Sequence, residues 1–108
     1  MADHSQVLRL MDIIEAVERI RSVVADVTLD EFERDWQKRW LVERGVEIIS
    51  EASRHLRPEL KERHLEIPWP KVASIGNILR HHYERIAPDI LWKLVQICRS
   101  WSRFVAKN

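Results

Sequence analysis

Apolar residues recur at helical spacing along most of the chain, and this periodicity constrains the fold more than any other feature. Between residues 6 and 25 they fall three or four positions apart: Leu10, Ile13, Ile14, Val17, Ile20 and Val24. That spacing lines one side of an α-helix. No segment alternates with period two for long enough to indicate a strand. With two glycines and 32% charged residues, the chain favours long helices.

A second helix is predicted to begin at the segment TLDE. There Thr28 and Glu31 have the spacing of a capping box, in which each side chain satisfies a backbone N–H group of the first helical turn. The apolar pattern then continues from Phe32 to Leu56. We expect one long helix over this span, bent near Gly45, because glycine is its weakest helix former.

Prolines mark where the remaining helices begin. Pro58 suits the first turn of a short helix, Pro70 that of a helix from Lys71 to about Ile86, and Pro88 that of a last helix. The expected fold is all-α, an up-and-down bundle of four main helices plus a short connecting helix. At 108 residues, the chain has the length of a single domain, spanning residues 1–108.

Composition narrows the range of functions. The net charge of +1 gives no general attraction for polyanions, so any contact with nucleic acid must come from local basic patches. The apolar residues form stripes without a run long enough to span a bilayer. The single cysteine, Cys98, fits a reducing compartment and is expected to be a buried, inert thiol. We therefore expect a cytoplasmic protein without membrane contact.

The segment SIGNILRHHYERI, residues 74–86, concentrates the candidate functional residues. Val72 and Tyr83 share the apolar side of the expected helix, and His81 falls roughly opposite to it. His81 is then either a solvated surface histidine or a general acid and base near neutral pH. His82 lies beside the apolar stripe. Since adjacent histidines diverge by about 100° on a helix, the pair does not indicate a metal site, and no cofactor is expected.

Several blocks, in order and spacing, resemble the HepT family of the HEPN superfamily. They are VEIISEASRHLRPEL, HLEIPWPKVASIGNILRHHYERI and DILWKLV, with N-x-L-x-H-x-Y at residues 77–83 as a specific core. The resemblance implies an HEPN-like fold and a homodimeric, metal-independent endoribonuclease. It gives His81 the place of the catalytic histidine, Tyr83 that of the motif tyrosine and Asn77 that of a polar site residue.

The sequence departs from the family pattern at one important position. Family members carry an arginine immediately before the asparagine, and here that position is Gly76. Arg80 follows one helical turn later, and helical side chains lean toward the N-terminus, so its guanidinium would lie back over the bare glycine. We hypothesise that Arg80 replaces the missing cation.

The resemblance also implies a partner, a minimal nucleotidyltransferase that acts as the antitoxin and transfers AMP to Tyr83. Two alternatives follow from Gly76: a dimeric scaffold for that nucleotidyltransferase, or an RNA binder without catalysis. Trp36 and Trp40 are expected as core or dimer-interface anchors, with base stacking as the minor alternative. A basic rim for RNA is conceivable from four arginines near the site: Arg80, Arg85, Arg99 and Arg103.

Overall fold

The chain folds into helices joined by short connections. The computed structural model describes residues 4–65, 67–74 and 88–100, with the side chains of 88–90 excepted. The helices are α1 (His4–Val23), α2 (Leu29–Arg34), α3 (Trp36–Arg54), α4 (Pro58–Glu62) and α6 (Pro88–Ser100), and residues 69–74 are the helical start of α5. No strand occurs among these residues, which confirms the all-α prediction.

The helices α1 and α3 pack lengthwise and in opposite directions. Near one end of the pair, the amide of Gln6 bonds to the backbone at His55, and farther along Ile20 meets Gly45. The predicted apolar stripe of α1 is buried, with Ile13 and Val17 completely inaccessible to solvent. Hydrophobic burial between these helices is therefore the foundation of the core.

The prediction of one long helix from residue 28 to residue 56 was wrong, because the helix is interrupted at Asp35. Thr28 caps the start of α2 as predicted: its hydroxyl accepts a hydrogen bond from the Glu31 N–H at 3.2 Å and donates one to the Glu31 carboxylate at 3.1 Å. After two turns, however, the Asp35 carboxylate accepts from the N–H groups of Gln37 and Lys38, both at 3.1 Å, and begins a new helix. An aspartate at this position satisfies backbone donors that a continuous helix would have bonded internally.

The helix α3 continues through Gly45 without interruption. A Cβ atom at this position would lie 2.8 Å from both Cγ1 and Cδ1 of Ile20. The glycine therefore permits the close approach of α1 and α3.

The buried amide of Gln6 joins the beginning of α1 to the end of α3. Its Nε2 donates to the His55 carbonyl at 2.9 Å, and its Oε1 accepts from the Arg57 N–H, also at 2.9 Å. Pro58 then begins α4, as the sequence predicted. Both backbone groups lie at the turn between α3 and α4, so one side chain stabilises the connection.

The last described helix, α6, covers α1, α2 and α3. Its inner side is apolar and buried through Leu91, Leu94, Val95 and Cys98, and Pro88 is its first described residue. Burial raises the pKa of the Cys98 thiol to about 12, which fits the expected inert cysteine. None of the helices in the described parts of the chain is long and apolar enough to cross a membrane.

Candidate functional site

The predicted site residues Asn77, Arg80, His81 and Tyr83, together with Gly76, belong to residues 75–87. This segment lies outside the described residues, so their proposed roles stay predictions. The structure does describe the helical residues that lead into the segment and the helix that follows it. These two elements determine how the segment is attached to the core.

The start of α5 is attached to the core through Trp69. The indole Nε1 donates to the carbonyl of Lys61 at 3.1 Å, and the side chain is only 7% exposed. Ile67, just before it, is likewise buried. Residues 67–70, with their two prolines, thus supply the buried apolar side chains that fix the start of α5 on the core.

The orientation of α5 at its start agrees with the predicted apolar stripe. Val72 is 5% exposed and lies in the core, and the Ala73 carbonyl accepts a hydrogen bond from the Ser50 hydroxyl of α3 at 3.4 Å. Val72 was the reference from which helical geometry placed His81 on the opposite side. Its burial supports the first turn of that arrangement, whereas the later positions lie outside the described residues.

The two elements that flank residues 75–87 meet within one apolar cluster. Val72 of α5, Leu94 and Cys98 of α6, and Val46 and Ile49 of α3 border a shared gap of only about 20 Å³. Since well-packed cores resist rearrangement, both flanks of the segment are firmly placed.

Arg99 does not belong to a free basic rim, contrary to the sequence-based hypothesis. Its Nη2 donates to the carbonyl of Val24 at 2.7 Å and to that of Val27 at 3.4 Å. Its guanidinium also lies 5.0 Å from the ring centre of Trp92. These contacts bind α6 to the turn after α1. The other members of the proposed rim, Arg80, Arg85 and Arg103, lie outside the described residues.

The tryptophans on α3 are surface residues, so their predicted place in the monomer core was wrong. Trp36 is 51% exposed and Trp40 is 65% exposed. The rings contact each other edge to face, with centres 4.9 Å apart. The alternative of an interface anchor, and that of base stacking, both need such exposure and stay open at this point.

Sequence reasoning missed a groove between α1 and α3. It offers about 190 Å³ of space, and its apolar lining includes Val23, Leu41 and Ile48. The glycine at position 45 was the one sequence feature that pointed to this groove. Periodicity alone does not show which apolar side chains of α1 and α3 remain exposed to solvent. Within residues 4–65, 67–74 and 88–100, no group of three His, Cys, Asp or Glu side chains is arranged to hold a metal ion.

Comparison with known proteins relates most of the chain to ribonucleases. The family model described as "Ribonuclease HepT-like" matches residues 13–101. A Thermococcus cleftensis protein named "Probable ribonuclease HepT" is 36% identical over 87 residues, covering 81% of this chain and 79% of the relative. A Methanocaldococcus jannaschii protein named "Putative RNase" is 34% identical over 87 residues, covering 81% and 80%.

No solved structure matches the chain in the same kind of comparison. The family match includes the whole segment 75–87 together with the helices that flank it. It therefore covers the candidate histidine and tyrosine as well as the buried anchors of α5 and α6. By its sequence over residues 13–101, the chain belongs to the HepT-like ribonuclease family.

Proposed function

We propose that the protein is an RNA-cleaving toxin, a metal-independent endoribonuclease whose centre is His81. The observation that carries this proposal is the family match over residues 13–101, which includes the N-x-L-x-H-x-Y core at 77–83. Relatives at 34% and 36% identity bear ribonuclease names. The buried anchors on either side of the segment give it the stable support that a catalytic helix needs.

The chemistry needs few groups, because RNA carries its own nucleophile. In the proposed reaction, His81 accepts the proton of the ribose 2′-hydroxyl as its oxygen attacks the adjacent phosphorus. The bond to the 5′-oxygen then breaks, and that oxygen takes up a proton, leaving a 2′,3′-cyclic phosphate and a 5′-hydroxyl. Histidine suits this work because it exchanges protons near neutral pH.

Arg80 is the proposed cation of the site, and Asn77 a neighbouring polar contact to the phosphate. Negative charge accumulates on the phosphate oxygens during the attack, and a guanidinium offers donors in a fixed fork to such oxygens. The position before Asn77 is Gly76, so the charge must come from elsewhere on the helix. If this segment is helical, Arg80 follows Gly76 by one turn, and its side chain would lean back toward the space that the glycine leaves.

Regulation is proposed to act on the same helix. A nucleotidyltransferase antitoxin would transfer AMP to the hydroxyl of Tyr83, releasing pyrophosphate from ATP. The added phosphate would block the site and repel RNA. The active form is proposed as a cytoplasmic homodimer whose two copies border one RNA cleft.

The test is an RNA cleavage assay in the presence of EDTA. Purified protein is incubated with tRNA and mRNA, beside His81→Ala and a matched control, His55→Ala. The side chain of His55 is 51% exposed at the end of α3, where its Nε2 lies 3.1 Å from Glu51. We expect the parent and the His55 variant to cleave RNA and the His81 variant to lose at least about 100-fold in rate. Equal cleavage by all three proteins would refute the role of His81.

Gly76 favours a second candidate, a dimeric scaffold for the nucleotidyltransferase without cleavage of its own. Two substitutions separate it from the first. If Arg80 is the cation, Arg80→Ala should abolish cleavage while Gly76→Arg changes it little. If the parent protein does not cleave RNA and Gly76→Arg creates activity, the chain is a scaffold that has lost its catalytic arginine.

A further inference from the structure

One carboxylate of α3 is half-buried without a cation bound to it. In the described part of the chain, the side chain of Glu43 forms no ion pair or hydrogen bond, whereas Glu47, one turn later, pairs with Arg44 at 3.2 Å. Arg39, one turn earlier, donates instead to the backbone carbonyl of Glu33. Removing a charged carboxylate from water is costly unless a partner compensates for the lost hydration.

The surroundings of Glu43 favour the approach of a further positive charge. Burial is the largest influence on the carboxyl group and raises the pKa of Glu43. The negative charge of Glu47 adds to this rise, and the positive charge of Arg39 opposes it without cancelling it. A cation placed beside Glu43 would stabilise its ionised form.

Glu43 lies on the side of α3 along which α5 begins. Ser50 follows Glu43 by seven residues, a spacing that returns to nearly the same side of a helix about 10 Å farther along its axis. Ser50 is completely buried, and its hydroxyl donates to the Ala73 carbonyl of α5. The position of Glu43 is therefore about two turns from this contact, nearer to the beginning of α3.

The described start of α5 runs antiparallel to α3. Trp69 is bonded to Lys61 of α4, beyond the end of α3, and four residues later Ala73 meets Ser50. Each further residue along this direction leads toward the beginning of α3. A continuation of α5 would thus approach the level of Glu43.

Counting from the contact between Ser50 and Ala73 places Arg80 opposite Glu43. Arg80 follows Ala73 by seven residues, just as Glu43 precedes Ser50 by seven, and in antiparallel helices these steps reach the same level. The sequence predicts that α5 continues well past Arg80, which on that helix lies within about 20° of Ala73 around the axis. His81 diverges from Arg80 by about 100°, so the two side chains serve different sides of the helix.

We propose that Glu43 is a positioning residue of the candidate ribonuclease site and holds the guanidinium of Arg80 in an ion pair between α3 and α5. The inference rests on the proposed function, in which Arg80 is the cation of the site. A guanidinium carries five N–H donors, of which a carboxylate takes two in a bidentate pair. The other donors stay available for a phosphate of RNA, while the pair limits the rotation of the long arginine side chain.

The lengths of the two side chains permit this pair. Helical side chains lean toward the N-terminus of their own helix by about one residue, so Glu43 and Arg80 lean in opposite directions. The divergence is roughly 3 Å, which the extended arginine covers.

Cleavage kinetics test the role of Glu43. Glu43→Gln preserves the shape of the side chain and removes its charge, so kcat should fall by about 10-fold to 100-fold while KM changes by less than about 3-fold. The matched control is Glu47→Gln, because Glu47 is on the same helix, its side chain is 37% exposed and it already pairs with Arg44. The control should keep the kinetics of the parent. A kcat of Glu43→Gln equal to that of the parent would overturn the inference.

Thermal unfolding tests the pair itself without RNA. The midpoints of the parent, Glu43→Gln, Arg80→Ala and the double variant form a cycle, and each substitution should lower the midpoint less when the other is present. In the control cycle, Glu47→Gln and Arg80→Ala should have additive effects. Exchange of the charges, Glu43→Arg with Arg80→Glu, should recover much of the midpoint lost by Glu43→Arg alone. Additive effects of Glu43→Gln and Arg80→Ala, or no recovery on exchange, would contradict the ion pair.

The two measurements separate this inference from the proposed function. If the parent cleaves no RNA but the cycle shows coupling between Glu43 and Arg80, the ribonuclease is contradicted and the ion pair stands. If the parent cleaves RNA through His81 but the cycle is additive, the ion pair is wrong and the ribonuclease stands.

Discussion

Gly45 offers a sharp test of how α1 and α3 fit together. In an exposed helix interior, replacing glycine by alanine stabilises by about 1 kcal/mol, because the glycine loses more backbone freedom on folding. Here, however, the new Cβ would lie 2.8 Å from Cγ1 and Cδ1 of Ile20, a side chain that is 2% exposed. Such overpacking of a core costs about 1–3 kcal/mol. The two effects oppose each other, and the cost should prevail.

We therefore expect Gly45→Ala to lower the free energy of unfolding by up to about 2 kcal/mol. The decisive comparison uses Ile20→Ala, which removes both atoms that the new methyl group would meet. That substitution alone should cost about 2–5 kcal/mol. In its presence, Gly45→Ala should become stabilising by about 1 kcal/mol, since only the gain in helix propensity remains.

The assay is urea unfolding of the parent, both single variants and the double variant, followed by circular dichroism. The coupling free energy is the difference between the effects of Gly45→Ala in the two backgrounds. A change of sign between the backgrounds would establish that Gly45 serves close packing. If Gly45→Ala stabilises the parent, or has the same effect in both backgrounds, the reasoning is refuted.

Three further predictions concern buried or capping groups. Gln6→Leu should lower the free energy of unfolding by about 1–3 kcal/mol, because the backbone groups at the α3–α4 turn lose buried partners; urea unfolding measures it. Cys98, with its pKa raised to about 12, should react with an aromatic disulfide reagent at pH 8 at least about 100-fold more slowly when folded than in urea, and equal rates would contradict its burial. For Asp35, hydrogen bonds from Lys38 hold the carboxyl pKa in the folded protein below its usual value. The Asp35 carboxylate therefore stabilises the fold above the unfolded-state pKa of about 4, and this stabilisation is lost as the pH falls through the lower pKa of the folded state. Acid unfolding should therefore be less steep for Asp35→Ala than for the parent between about pH 5 and 2, and superimposable profiles would refute this.

The features that the sequence predicted correctly depend on local chemistry. Thr28 and Pro58 mark helix starts because their caps and backbone geometry act within one turn of chain. The apolar pattern continues across Asp35, so the interruption of the helix there was missed. An aspartate is compatible both with the exposed side of a helix and with a helix cap. Its two hydrogen bonds to backbone N–H groups decide between these alternatives.

The surface features needed the assembled structure. Periodicity shows that Trp36 and Trp40 share a side of α3, but the exposure of that side depends on which helices cover it. Periodicity likewise did not show that Arg99 donates to the carbonyls of Val24 and Val27, so the sequence suggested Arg99 as a residue for RNA contact. The candidate catalytic residues rest on the family resemblance and await the cleavage assay.

The hydrogen bonds of Gln6 also affect the order in which the chain folds during synthesis on the ribosome. They join α1 to the turn after α3, so their partners all lie within the first 57 residues of the chain. Chains fold from the N-terminus during synthesis. The α1–α3 hairpin can thus close before residues 75–87 have emerged. We expect residues 75–87 to be synthesised after the α1–α3 pair has formed, so that they fold against a surface that is already in place.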